Sequence, residues 1–253
     1  MIRDRAPHPH RTVPLVDPLT LGLASLVVAA GAALQGAIGF GLGVFSVPLL
    51  LLFAPNLVPG PLLAVSVLLT VLLAHHDRAG INWRDLVWAL SGRTIGIALA
   101  TTLIATVSSQ ALALWSGGLV LFGVVLSGSG LHIPPAPRSL LAAGLLSGVL
   151  GTAVSIGGPP IALLYQHETG ARLRGTLAAF FLIGVTMSLA GLGLIHRFGM
   201  AELRLAVYLV PGVLLGFLVS RRAAHLLDRG YTRPAILTIS ALSSVLVLVK
   251  ALV

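Results

Sequence analysis

The chain of 253 residues is 57% hydrophobic and only 9% charged, with a mean hydropathy of +1.01. A water-soluble domain carries about 25% charged residues, so a fold wetted on all sides by water is excluded. Sixteen Lys and Arg against seven Asp and Glu give a net charge of +9, but the basic residues are scattered singly at the ends of apolar runs, unlike the basic stripe of a nucleic-acid surface.

Flanking Lys and Arg instead suit membrane topology and anionic lipid headgroups. The absence of Cys rules out disulfides, thiolate metal sites and cysteine nucleophiles. Residues 1–18 hold Arg3, Arg5 and Arg11 but no apolar run and no small-residue cleavage site, and they read as a disordered tail, not a signal peptide.

Eight apolar segments follow. The first, Leu19 to Phe53, would be over about 50 Å long as one helix at roughly 1.5 Å per residue, too long for a single crossing of a hydrocarbon core of about 30 Å. The rest are Leu57–Ala74, Leu86–Val107, Ala111–Leu126, Ser139–Gln166, Thr176–Ile195, Leu203–Val219 and Pro234–Val253. Asp17-Pro18 supplies a helix start, and Asn82 with Asp85 resembles a capping box. Pro134-Pro135-Ala136-Pro137 cannot continue a helix. It divides a first membrane repeat, 19–130, from a second, 139–253, with 131–138 as the linker.

The division carries an internal similarity. With an offset of 112 positions, LQGAIGFGLGVFSVPLLLLF lies over LSGVLGTAVSIGGPPIALLY, matching Leu34/Leu146, Gly36/Gly148, Gly39/Gly151, Pro48/Pro160, Leu51/Leu163 and Leu52/Leu164. The shared glycine spacing and proline indicate a duplication. Each half is then one interrupted or re-entrant segment followed by three spans, in an all-α polytopic membrane fold. Irregular backbone at membrane depth survives only where it is buried in protein or lines a polar cavity, and a break at corresponding positions of two halves points to a transporter site. Kinked, glycine-packed helices are the plainer alternative.

Charge bears on handedness. Ser108–Gln110 and Ala54–Gly60 hold no Arg, whereas their counterparts hold Arg221, Arg222, Arg229 and Arg233, and Arg172 and Arg174. The positive-inside rule therefore favours opposite sides for each pair. This predicts inverted repeats, re-entrant first segments and both termini outside, against the weight of the three Arg in the tail.

All seven acids and the eight His lie in tails or near span ends. This counts against a proton-relay carboxylate at depth, a hard-cation site and any other metal site; no cofactor is expected. Arg93, about 10 Å inside the third span, is the exception. It is either a functional cation or a side chain snorkelling to the nearer interface. Around the breaks lie Gln35, Ser46, Thr152, Ser155, Tyr165 and Gln166, neutral donors that suit a small anion, helped by free helix N-termini. Any one hydroxyl could equally bond its own helix.

The paired motifs Gln35-Gly36-x-x-Gly39-Phe40-Gly41 with Val47-Pro48, and Ser147-Gly148 with Gly151 and Ile156-Gly157-Gly158-Pro159-Pro160 before Tyr165, resemble the TauE/SafE sulfite exporter family. Arg174-Gly175-Thr176-Leu177 before Phe180-Phe181 is similar to that family's basic entry into a later span. The resemblance runs from about Leu19 over nearly the whole chain. It implies a bacterial inner-membrane carrier that exports a small anion such as sulfite, an organosulfonate or a related carboxylate. By the same resemblance Gln35, Gly39, Gly41, Pro48, Gly157, Gly158, Pro159 and Pro160 form the site. Gly41-Leu42-Gly43-Val44 and Thr152-Ala153 depart from the family pattern, which bears on the substrate.

The expected mechanism is alternating access between the two interrupted segments, with Arg93 raising the local positive potential and Arg174 near a cytoplasmic mouth. The expected partners are the anion and membrane lipid; assembly with a second copy is left open. A passive anion channel is the alternative. An intramembrane lipid-phosphate enzyme is a weaker one, because it needs an acid or base at depth.

Overall fold

The computed structural model describes residues 17–106, 109–129, 133–165, 168 and 170–227. The tail before Asp17, the predicted span Pro234–Val253 and Gln166 lie outside them. All regular structure among the described residues is helical, and five helices are long and apolar enough to cross a membrane.

The long first segment is two helices. The first, α1, is Pro18–Ile38, and Gly39 ends it in a left-handed conformation, φ 86°. At Gly41 φ is 142°, and α2 then covers Leu42–Phe53. Side chains rarely adopt either conformation, so the two glycines place the break between them. Asp17 stands at the start of α1 but its side chain makes no capping bond.

Next come α3, Gly60–His76, α4, Trp83–Thr106, and α5, Ser109–Gly128. The start of α4 is capped as the sequence indicates: Asn82 Oδ1 accepts the Asp85 amide at 3.4 Å, and Asn82 Nδ2 donates to Asp85 Oδ2 at 2.8 Å.

The segment Ser139–Gln166 is also broken, into α6, Pro137–Val154, and the short α7, Gly158–Ala162. Ser155 caps α6 at φ 59°. The last two described helices are α8, Gly170–Leu194, and α9, Met200–Leu227. Both outrun their apolar cores: α8 begins before Arg172 and Arg174, and α9 continues past Arg221 and Arg222. Backbone hydrogen bonding carries a helix onward wherever polar side chains can reach headgroups or water.

Glycine contacts give the direction of each helix. Gly212 and Gly216 of α9 press on the backbone of Ser25 and Ala29, and Gly36 faces Ser220, so α1 and α9 run the same way. Gly92 and Gly96 meet Leu141 and Leu145, so α4 and α6 also run together. Gly184 against Arg93 and Gly191 against Thr101 put α8 parallel to α4. By contrast, Gly175 at the start of α8 abuts Asp77 at the end of α3, while Gly60 at the start of α3 faces Phe198 beyond the end of α8. With Gly60 also facing Glu202, and Leu73 close to Gly36 beside Ser220, α3 runs with α9. Thus α1, α3 and α9 point one way and α4, α6 and α8 the other. Helices related by the 112-position offset (α1 and α6, α3 and α8, α4 and α9) are opposed in every case.

Both broken segments fold back. Leu42 lies against Gly31 and Ser46 Oγ donates to the Val27 carbonyl at 3.3 Å, so α2 returns along α1. Gly157 sits against Ser147 and Gly151. The chain then descends beside α6 until the Tyr165 hydroxyl donates to Asp85 Oδ2 at 3.0 Å, level with the start of α4.

Candidate functional site

The two breaks touch. Gly43 in the first turn of α2 lies on the Ser155 carbonyl so closely that a Cβ there would collide with it, and Gly158 faces the Phe40 ring. Each hairpin is latched by a side chain at the same repeat position. Gln35 Oε1 accepts the Leu42 amide at 3.3 Å, and Ser147 Oγ, 112 positions later, donates to the Gly157 carbonyl at 2.6 Å.

Where the breaks meet, a cavity opens between α3, α4 and α8, and Arg93 reaches it. The centre of a water-sized sphere can sweep about 40 Å³ of this space. A single water needs roughly 10–15 Å³ on that measure, so the cavity accommodates a few waters or one small ion.

Arg93 is 1% exposed and enclosed by the protein rather than snorkelling outward. Its Nη1 donates to Ser147 Oγ at 3.1 Å, which links it to the second break through the bond from Ser147 to Gly157. Its Cζ lies 4.6 Å from the centre of the Phe180 ring and 5.8 Å from that of Phe181. Gly184 makes room for it, since a Cβ there would overlap the guanidinium. Arg93 Nε is buried with no hydrogen-bond partner among the described residues. Ring faces and one hydroxyl only partly compensate a buried cation.

The other polar groups of the described residues around the cavity are neutral. The Gly43 and Val44 amides belong to the first turn of α2 and find no carbonyl within their own helix. Pro48, lacking an N–H, cannot donate to the Val44 carbonyl. From α3, Ser66 Oγ donates to Leu63 O at 2.7 Å and Thr70 Oγ1 to Ser66 O at 2.9 Å, hydroxyls that could rotate toward a ligand. Ser155 Oγ donates to the Pro59 carbonyl at 3.2 Å. Among the described residues no carboxylate lines the cavity. A buried cation among neutral polar groups has the chemistry to receive an anion.

Of the residues singled out in the sequence, Gln35, Gly41, Arg93, Ser155, Gly157 and Gly158 line this space. Gly39 turns the chain beside Leu177 and Arg174. Ser46 clamps α2 to α1, Pro48 is buried in α2, and Pro159 and Pro160 are buried in the first turn of α7. Thr152 Oγ1 is 2.9 Å from Ser188 Oγ, buried between α6 and α8. Tyr165 binds Asp85. Arg174 is engaged elsewhere: its Nε and Nη2 donate to Asp77 at 3.1 and 3.2 Å, tying α8 to the end of α3. Sequence reasoning missed Ser66, Thr70 and Val185, which look like ordinary mid-span residues, and named Phe181 only within the motif that follows Arg174. The four-residue spacing of Ser66 and Thr70, which puts both on one helix face, was the available signal.

A family model described as Sulfite exporter TauE/SafE matches residues 23–247. No curated protein and no solved structure matches the chain significantly.

Proposed function

The chain belongs to the TauE/SafE sulfite exporter family, and from that membership we propose that it is a secondary carrier that exports a small anion such as sulfite, an organosulfonate or a related carboxylate. The observation that carries the reading is Arg93, buried where the two breaks meet and facing a cavity that no carboxylate of the described residues lines. The anion is held by the guanidinium and by neutral donors from Gln35, Ser66, Thr70 and the first turn of α2. One half then rocks against the other around that site.

The halves are inverted repeats in this reading, supported by the opposed directions of the three described helix pairs. The end of the bundle bearing Arg78, Arg84, Arg138, Arg172, Arg174, Arg221 and Arg222 faces the cytoplasm. The opposite end bears only Arg197 and Arg204 among the described residues. The start of α1 then faces the outside of a bacterial inner membrane, while the outside C-terminus expected from the sequence falls beyond Leu227, outside the described residues.

The test is flux through the purified chain in proteoliposomes, with sulfite, methanesulfonate, sulfate and short carboxylates offered in turn. Saturable transport of at least one monovalent anion is expected, with Arg93→Gln lowering it by about tenfold or more, the loss of one charge-assisted contact. Flux that never saturates would indicate a channel. Wild-type flux in Arg93→Gln would remove Arg93 from the site.

A further inference from the structure

Resting on the carrier reading above, we propose that the protein is an obligatory exchanger of monovalent anions, with Arg93 as the residue that forbids the empty carrier to cross. Alternating access passes through a state in which the site is sealed from both sides and its loose water is expelled. The net charge left inside at that moment decides which forms can pass.

The sealed charge can be counted. Arg93 is 1% exposed, and its neighbours are the Ser147 hydroxyl, Gly184 and two phenylalanine rings. On the α3 side the polar lining is Ser66 and Thr70, and at the breaks it is Gln35 and Ser155. Every described acid is elsewhere: Asp77 on Arg174, Asp85 on Asn82 and Tyr165, Glu168 near Arg172, Glu202 on the Gly199 amide and Asp17 at the exposed start of α1. Among the described residues nothing in the lining titrates to cancel the guanidinium, which stays protonated in proteins.

The empty site therefore seals with one uncompensated positive charge. A site holding a monovalent anion seals neutral, and one holding a divalent anion seals negative. In a low dielectric the neutral form is favoured over both. On membrane-insertion scales an unpaired arginine at the membrane centre corresponds to a population penalty on the order of 100-fold. Among the described residues the guanidinium's one hydrogen bond, to Ser147, brings no counter-charge.

The test uses the full chain in proteoliposomes loaded with radiolabelled methanesulfonate or, at mildly acid pH, radiolabelled bisulfite, with potassium and valinomycin clamping the membrane potential at zero. Label efflux is measured into medium without anion, with the same unlabelled anion, and with sulfate. The unlabelled monovalent anion is expected to accelerate efflux by about tenfold or more, and sulfate is expected not to. In Arg93→Gln the acceleration should vanish although residual flux persists, and Arg93→Lys should restore it. Wild-type efflux into anion-free medium as fast as exchange, or equal acceleration by sulfate, overturns the proposal and needs no variant to fold. Absence of protein-dependent flux in every mode is a separate result, which brings down the carrier reading itself.

Discussion

Ser147 shows how much one small side chain can hold together. Its hydroxyl gives its only hydrogen to the Gly157 carbonyl and offers a lone pair to Arg93 Nη1, at 2.6 and 3.1 Å. Ser147→Ala leaves a buried carbonyl and a second guanidinium nitrogen without partners, at a cost of roughly 1–3 kcal/mol. A lower thermal midpoint in detergent is expected, with anion affinity falling more than maximal flux because Arg93 is no longer aimed at the cavity. An unchanged midpoint would show that the two bonds contribute nothing. At this scale the sequence was partly legible. Arg93 stood out because a charge at that depth must either serve a function or snorkel to the interface, and its burial excludes the second; Ser66 and Thr70 did not, since a mid-span hydroxyl ordinarily bonds its own helix, as both do here.

Among the elements, the two broken hairpins are decisive, and glycine makes their meeting possible. At Gly43 an added methyl would strike the Ser155 carbonyl, a backbone atom that cannot rotate away. Gly43→Ala should force the breaks apart, destabilising the protein by about 1–3 kcal/mol as overpacking does and lowering flux. Gly22→Ala, on an open face of α1 with nothing within 4 Å of the new methyl, is the matched control and should leave both unchanged. Equal behaviour of the two variants in flux and thermal unfolding would show that the meeting of the breaks is not required. The glycine and proline clusters announced that the helices are interrupted. That they also reverse could not be read from them, since a kinked continuation needs the same residues; the bonds of Ser46 to Val27 and Tyr165 to Asp85 show the return.

For the molecule as a whole, the opposed directions of α1 and α6, α3 and α8, and α4 and α9 put the arginine-rich ends of the helices together. The Asp77 and Arg174 pair fastens that end, with the Asp77 side chain only 5% exposed. Asp77→Asn would leave Arg174 without its counter-charge and should lower the thermal midpoint, by an amount equivalent to roughly 3 kcal/mol if the pair behaves as a buried one. Orientation is testable because the chain has no Cys. In intact cells a membrane-impermeant maleimide should label Asp17→Cys, and should reach Arg138→Cys only after permeabilisation. The opposite pattern would invert the topology.

Composition alone determined that this chain lives in a membrane, and the positions of its few charges removed carboxylate chemistry at depth, because an ion in hydrocarbon is too costly to be placed without purpose. Local glycine and proline chemistry located both breaks, since backbone conformation depends on the residue itself. The tertiary structure decided what distance along the chain conceals: that the breaks touch, that Arg93 of one half is held by Ser147 of the other, and that Arg174 is already paired with Asp77. Those contacts join residues 54 to 118 positions apart, and only the packing of opposed helices brings them within reach.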